Sequence, residues 1–521
     1  MTAITMINLK NFKKFSTLTL KFDSGLNILV GDNEAGKSSV LQALDLVLSG
    51  SRSKAEAVGL ENLLNRRAVD TFLAGQPKST ELPVLQVEVF LAEGGKAELN
   101  GVNNSLRKEF DGLLFEYAPV EAYSKDIMEA LQAAPNTFPY EYYAARFTTF
   151  AGEPFSGVKR YLRHLVIDSS RIDSDYAARE YTRSVFAVHA DVAGRSRLEH
   201  LYRQSKDAFA EGHLAAVNRG IDSYQFDVRT SSKANLETDL VITESDIPIE
   251  SKGKGRQCFI KTEFALGKHA GDNNLDVLLL EEPENHLSHT TTRLLVDRIA
   301  SSAKKQLFVA THSSLISSRL DLRRVQILGA DGSTASLAAL SDETARFFMK
   351  APDNNVLEFA LSSKVILVEG DAEFILLDAL YTKHSGGRTL EQDRVHVISV
   401  GGTSFKRYLE LGKLIGVRTA VLRDNDGDYA GNCVDNYAAH LYAGARVFAD
   451  TDPRRSTFEI CLYEDNTRIC DGLFGPGRVK LTPQEFMLAN KADAAFALLE
   501  QAGDKLVAPS YMQEAIAWVR A

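Results

Sequence analysis

Four cysteines in 521 residues, Cys258, Cys433, Cys461 and Cys470, are scattered without C-x-x-C spacing. That argues against a zinc knuckle or a disulfide framework and leaves reduced, partly buried thiols as the expectation. No uninterrupted apolar run is long enough to cross a bilayer, so no membrane association is expected. Met1 to Lys10 lacks the basic-then-apolar order of a secretory signal, which makes the cytoplasm the expected compartment. An excess of positive charge is missing too: 60 Lys and Arg against 69 Asp and Glu give a formal net charge of −9. A chain that coats DNA through bulk charge is thereby disfavoured, while a local basic groove or a set of metal-binding carboxylates is not. The basic clusters, Arg66-Arg67, Lys159-Arg160 with Arg163, and Arg454-Arg455, are short and read as solvated surface. What is present is ordinary globular composition, 44% hydrophobic and 25% charged, with room for about two to four domains.

The most informative stretch is Gly31-Asp32-Asn33-Glu34-Ala35-Gly36-Lys37-Ser38, which satisfies G-x-x-x-x-G-K-[ST] in full. Leu26 to Val30 before it has the apolar run of a buried strand, and Ser39 to Leu48 after it has helical spacing. Backbone N–H groups of such a loop, with the helix N-terminus behind them, cradle phosphates. Asn33, Gly36, Lys37, Ser38 and Ser39 are the expected nucleotide contacts, Lys37 on the β- and γ-phosphates and Ser38 on Mg²⁺.

Two short strands, Ile4 to Leu9 and Thr17 to Phe22, precede that loop, and loops with a short helix are expected over Ser51 to Lys78. Strands follow at Pro83 to Leu91 and near Leu114 to Tyr117, with a helix at Lys125 to Ala134. Between about Ile167 and Asn218 the sequence turns to charged, helix-period segments such as Ala177 to Ala187 and Ser196 to Ala216. This reads as a helical insertion, serving either dimerisation or only as a solvated embellishment. Ser251-Lys252-Gly253-Lys254-Gly255-Arg256-Gln257 then opens a helix running through Phe264. An apolar strand, Val277 to Leu280, ends in Glu281-Glu282-Pro283-Glu284, and another, Gln306 to Ala310, ends in Thr311-His312-Ser313.

P-loop, Ser/Gly-rich signature, strand ending in acids and strand ending in His, in that order, resemble the ABC-type ATPases of SMC and RecF proteins. The resemblance implies that Glu281 holds Mg²⁺ and its water, that Glu282 orients the attacking water, and that His312 senses the γ-phosphate. It further implies a dimer in which Ser251, Gly253 and Gly255 of one subunit complete the ATP site of the other. Glu281 replaces the more common Asp, and the signature departs from LSGGQ.

After Ala351-Pro352-Asp353 a second α/β unit starts. Val365 to Val368 leads into Glu369-Gly370-Asp371-Ala372-Glu373 and a helix, Phe374 to Tyr381; Val395 to Val400 leads into Gly401-Gly402 and a helix, Phe405 to Leu414. Thr419 to Leu422 then ends in Asp424-Asn425-Asp426. A parallel sheet is expected, with carboxylates meeting at its switch point, and oxygen donors at that density suit Mg²⁺ or Mn²⁺.

The pattern is similar to a Toprim domain, and an ABC-type ATPase with a helical insertion followed by a C-terminal Toprim resembles the OLD (overcoming lysogenization defect) nucleases. Nuclease subunits of Gabija systems are relatives of that family. The resemblance implies a two-metal site on Glu369, Glu373, Asp424, Asp426 and Glu459, with Glu464 competing with Glu459 as the late ligand. Glu459 lies in a strand-like Ser456-Thr457-Phe458-Glu459, and Lys491 corresponds to the family's catalytic lysine.

The expected architecture is therefore α/β. Residues 1–165 and 221–350 form an SMC/RecF-like P-loop ATPase, 166–220 the insertion and 351–521 the Toprim domain. The expected function is ATP-regulated, Mg²⁺- or Mn²⁺-dependent DNA cleavage or nicking, in anti-phage defence or DNA processing. A homodimer or larger homo-oligomer is expected, with a helicase-like or other defence partner left open. The alternative is a RecF-like, ATP-dependent DNA-binding protein without nuclease activity.

Overall fold

In the computed structural model the described residues are 3–75, 78–157, 161–169, 181–183, 185–186, 190–219, 225–229, 236–266, 275–301, 305–329, 331–350, 355–477 and 480–521. They fall into two compact units, residues 1–312 with 328–334, and residues 313–327 with 335–521. Residues 313–327 and 335–350 thus pack with the second unit, ahead of residue 351, where the sequence places its start.

In the first unit β1 (Ile4–Phe12) and β2 (Phe15–Lys21) form a hairpin, and β3 (Leu26–Gly31) runs into the phosphate loop and α1 (Lys37–Ser49). Next come β4 (Leu85–Leu91), β5 (Phe110–Pro119), β6 (Tyr143–Thr149) and β7 (His164–Asp168). Two helices, α2 (Val192–Phe209) and α3 (Lys254–Leu266), and two strands, β8 (Val277–Glu281) and β9 (Gln306–Thr311), follow. An antiparallel sheet has the order β2-β1-β4-β5, with β6 also paired to β5. A second sheet carries β3, β9, β8 and β7 side by side and parallel. Helix α1 packs against strands of both sheets, which is why Val40, Leu41, Ala43, Leu44, Leu46, Val47 and Leu48 are all buried rather than a single stripe. Its one buried acid, Asp45, accepts from His164 Nε2 (2.9 Å) and Lys54 Nζ (2.8 Å), tying β7 to the P-loop helix. Burial alone would raise the Asp45 carboxyl, but these two partners outweigh it and hold it below the usual range.

Several local expectations fail for identifiable reasons. Residues 52–74 fold as three helices, Arg52–Val58, Leu60–Leu63 and Arg66–Ala74, because the polar residues taken for loops are caps: Ser51 accepts from Lys54 N and Asn65 from Ala68 N. Strand β6 is not among the strands expected from sequence; it is held by cross-strand pairs with β5 such as Phe115 opposite Phe147. Val166–Asp168, given to the insertion, are strand residues of β7 paired with Leu279–Glu281. Ala177 to Ala187 lies largely outside the described residues; Ser196 to Ala216 is helical, beginning with α2, whose Asp191 cap accepts from Gly194 N at 2.7 Å.

In the second unit β10 (Lys364–Val368), α4 (Asp371–His384), β11 (Val395–Ser399), α5 (Phe405–Ile415), β12 (Arg418–Leu422) and β13 (Ala445–Phe448) alternate. The sheet is wholly parallel with order β11-β10-β12-β13. Strand Val365–Val368 is fully buried, as a strand covered on both faces should be. Helices α6 (Phe458–Asp465), α7 (Lys491–Ala502) and α8 (Ser510–Arg520) complete it, and their apolar faces share one core with β10 and β12. The order reverses between β10 and β12, so the residues after their carboxyl ends face one crevice. Those residues are Glu369 and Asp424. No helix among the described residues is long and apolar enough to cross a membrane.

Candidate functional site

The nucleotide site of the first unit is built on the β3–α1 turn. Gly36 has φ +101°, and a β-carbon there would run into the Phe15 ring, so this turn requires glycine. Asn33 and Ser38 are exposed and Ser39 is half-buried, open to a phosphate chain. Lys37 is buried, its ammonium donating to Gly31 O (2.8 Å) and Asp32 O (3.1 Å). Burial lowers its pKa, opposed chiefly by the charge of Glu282.

Strands β8 and β9 bring the remaining groups to the same edge. Glu281 stands in register with Ala310 and with Asp168. Glu282 takes φ +45° just beyond β8 and accepts from Asn285 Nδ2 at 2.6 Å. The His312 ring lies between Lys37 and Glu282, Nδ1 at 3.4 Å from Lys37 Nζ and Nε2 at 3.2 Å from Glu282 Oε1. An unprotonated Nδ1 that accepts and an Nε2–H that donates satisfy both contacts with a neutral ring. Glu284, absent from the residues expected from sequence, is half-buried beside this group and accepts from Thr311 Oγ1 and, at 3.2 Å, His312 N. Burial raises its carboxyl above the usual range. The third acid of Glu-Glu-Pro-Glu was the signal for it.

The signature stretch is placed by other contacts. Ser251 and Gly253 are exposed, and a β-carbon on Gly253 would meet nothing within 4 Å. Gly255 instead packs against His286 O of its own chain, so its lack of a side chain has an internal reason. Lys252 pairs with Glu244 at 2.8 Å, and Gln257 Nε2 donates to Glu250 O and Lys252 O.

In the second unit the crevice collects acids from three elements. Glu369 follows β10, Glu373 sits in the first turn of α4, and Asp424 and Asp426 follow β12. Asn425 between them is 1% exposed, and its Nδ2 donates to Asp450 O (2.8 Å), Asp452 O (3.0 Å) and Arg455 O (3.3 Å) while Oδ1 accepts from Gly427 N. This anchor presents the two aspartates to different neighbours. Asp424 accepts from Phe458 N at 2.8 Å, at the N-terminus of α6, whereas Asp426 meets Arg423 Nη2 at 2.6 Å. Arg423 also holds both oxygens of Glu369, at 2.8 and 3.0 Å. Asn425→Ala is expected to destabilise the chain by about 2–3 kcal/mol, since it strands several buried backbone groups; urea unfolding of the two proteins measures this.

Glu459 corrects the strand expectation: it lies in the first turn of α6, because Thr457 caps that helix by accepting from Ile460 N instead of continuing an extended run. The helix turns Glu459 inward, 3% exposed, where Lys491 Nζ pairs with it at 3.0 Å. Glu464, the competing late ligand, points instead to Arg455 at 2.9 Å. Burial tends to lower the Lys491 ammonium, but the bond to Glu459 carries it above its usual value.

Burial, reinforced by Glu373, Glu369 and Glu459, pushes the Asp424 carboxyl up to about 8; burial with Glu459 and Glu369 pushes Glu373 up to about 7. Among the described residues no three of these side chains are gathered tightly enough to hold an ion as they stand, since Glu369 and Asp426 close on Arg423 and Glu459 on Lys491. The donor set nevertheless fits a hard divalent cation: oxygen ligands, and negative charge in excess around Asp424 and Glu373. Linkage gives a test. Both carboxyls bind protons more tightly folded than unfolded, where they titrate near pH 4, so their stabilising contribution falls as pH rises from about 4 through 7 and 8. In metal-free buffer the melting temperature is expected to drop between about pH 5.5 and about pH 8.5, and Asp424→Asn to flatten that drop.

Residues 361–426, which span β10 to Asp426, match the family model described as "Overcoming lysogenization defect protein-like, TOPRIM domain". Residues 3–112 match an AAA ATPase domain, and residues 246–318 an "AAA domain, putative AbiEii toxin, Type IV TA system". The chain thus carries an AAA ATPase domain and an OLD-like Toprim domain. The Old nuclease of Escherichia phage P2 is 24% identical over 162 residues, 29% of this chain and 28% of that one. A DNA replication and repair protein RecF from Limosilactobacillus reuteri is 30% identical over 112 residues, 21% of this chain and 29% of that one. The chain thus matches less than a third of the length of these curated relatives. Among solved structures, the C-terminal region of the Xanthomonas campestris pv. campestris OLD protein is 21% identical with TM-score 0.24, covering 31% of this chain and 95% of that one. The SMC head domain from Thermotoga maritima is 13% identical with TM-score 0.28, covering 62% and 94%.

Proposed function

We propose that this chain is an ATP-regulated, divalent-metal-dependent DNA endonuclease or nickase. The observation that carries the reading is the convergence of Glu369, Glu373, Asp424 and Glu459, with Lys491, at the switch point of a parallel sheet. Glu373, Asp424 and Glu459 would hold Mg²⁺ or Mn²⁺, with Glu369 and Asp426 beside them. The bound ion would supply an activated water and neutralise charge on the scissile phosphate. Lys491, fixed by Glu459 and about half-exposed at 52%, is placed to donate to a phosphate oxygen that gains charge during attack. The carboxylate walls orient the phosphodiester by excluding any pose that brings its other anionic oxygens against them.

In the first unit Lys37 and the loop N–H groups would bind the ATP phosphates, Ser38 and Glu281 their Mg²⁺, and Glu282 the attacking water, with His312 reading the γ-phosphate. Ser251 and Gly253 would meet the nucleotide of a second copy, which makes a homodimer the working assembly. Anti-phage defence is the setting the OLD likeness favours.

Supercoiled plasmid incubated with purified protein, with Mn²⁺, Mg²⁺ or chelator and with or without ATP, tests the reading. Conversion to nicked or linear circles only with metal supports it. ATP-dependent retention of intact plasmid with every metal would instead indicate an ATP-dependent DNA-binding protein.

A further inference from the structure

We propose that Arg423 is a resident cation standing where a second divalent ion would otherwise sit, so that the acidic site of the second unit takes one metal ion and not two. The inference rests on the metal-site reading above and departs from the five-carboxylate, two-ion arrangement expected from sequence.

The five acids divide between two cations. Arg423 takes Glu369 through both its oxygens and Asp426 through Nη2, and its side chain is only 6% exposed. A guanidinium stays charged at any working pH, and its two terminal nitrogens divide the work, Nη1 on both oxygens of Glu369 and Nη2 on Asp426. Arg423 is also fixed by its backbone, which donates to Phe448 O at 3.0 Å and extends the β12–β13 ladder past Leu422. An ion ligated by Glu369 and Asp426 together would have to displace a buried charge from both of its partners.

The other half is different. Glu373, Asp424 and Glu459 face a single cation, Lys491, and among the described residues no ion pair reaches Glu373 or Asp424. Three carboxylates against one ammonium leave two negative charges, which one divalent ion balances. Arg423 would then serve as a positioning residue: it holds Glu369, whose Oε2 also accepts from Asp424 N at 3.3 Å, and so sets where Asp424 faces the ion.

The experiment is Mn²⁺ titration of the nucleotide-free full chain, followed by the loss of the free-ion electron paramagnetic resonance signal. Every protein carries Ser38→Ala, so that the phosphate loop contributes no ligand. One Mn²⁺ per chain is expected for Arg423 and for Arg423→Lys, which keeps a cation, and two for Arg423→Met, each folded by circular dichroism. Two ions of similar affinity with Arg423 intact would overturn the proposal whatever the variants do, as would one ion in folded Arg423→Met. Failure of the underlying reading is separate: no ion bound with Arg423 intact, or binding undiminished in Asp424→Asn, would remove the metal site itself.

Discussion

Asp424→Asn is expected to slow metal-dependent nicking of supercoiled plasmid by at least ~100-fold, the scale of losing one well-placed electrostatic group in a water-poor site. Asn keeps the shape of the side chain and the hydrogen bond that Asp424 accepts from Phe458 N, so α6 and the Asn425 anchor should stay in place. What is lost is a charge at the centre of the acidic half of the crevice, where Glu373 and Glu459 already crowd it. The variant should also melt no lower than the parent in metal-free buffer at pH 8, since it removes repulsion that the folded chain otherwise holds. Rates from gel densitometry across enzyme concentration decide this. A variant that nicks within about threefold of the parent would mean that Asp424 is outside the reacting centre, because a charge at that centre is worth far more.

Lys37→Ala is expected to weaken ATP binding by about 100-fold, roughly 2.7 kcal/mol. The ammonium is buried and its charge-assisted bonds have no replacement, since Asn33 and Ser38 are exposed neutral groups and the nearby acids repel phosphate. Equilibrium dialysis with radiolabelled ATP reads the affinity, and an undiminished value would show that the nucleotide, if any, binds elsewhere. Plasmid cleavage by the same variant should no longer respond to ATP, which separates the regulatory site from the cutting site without touching any residue of the second unit.

What could be read from sequence follows from where each signal is stored. The phosphate loop is eight consecutive residues, and the parallel strands of the second unit are apolar runs ending in acids, so both were legible. Glu373 was legible because the Glu-x-x-x-Glu spacing of Glu369 and Glu373 resembles the first acidic pair of the OLD pattern. Elsewhere a cap residue decided the outcome. Thr457 began a helix where a β-branched and aromatic run suggested a strand, and Ser51 and Asn65 began helices where polarity suggested loops. That Glu459 meets Lys491 while Glu464 meets Arg455 depends on which face of α6 turns inward, a tertiary fact. Arg423 carries no motif in the sequence, and only the fold shows that it reaches from the end of β12 to Glu369 after β10. Glu284 was overlooked because Glu281 and Glu282 already filled the expected roles, although its bonds to Thr311 and His312 tie the two strand ends together.

The central claim is that water, held among the acids of the second unit, cuts a phosphodiester. The most direct measurement is to incubate supercoiled plasmid with the chain and Mn²⁺, stop the reaction with detergent, and run the DNA with and without protease treatment. The account predicts nicked or linear DNA that migrates identically in both lanes, carries no protein, and is absent when chelator replaces metal. Intact plasmid in every lane, or broken DNA freed of protein only by the protease, would contradict it.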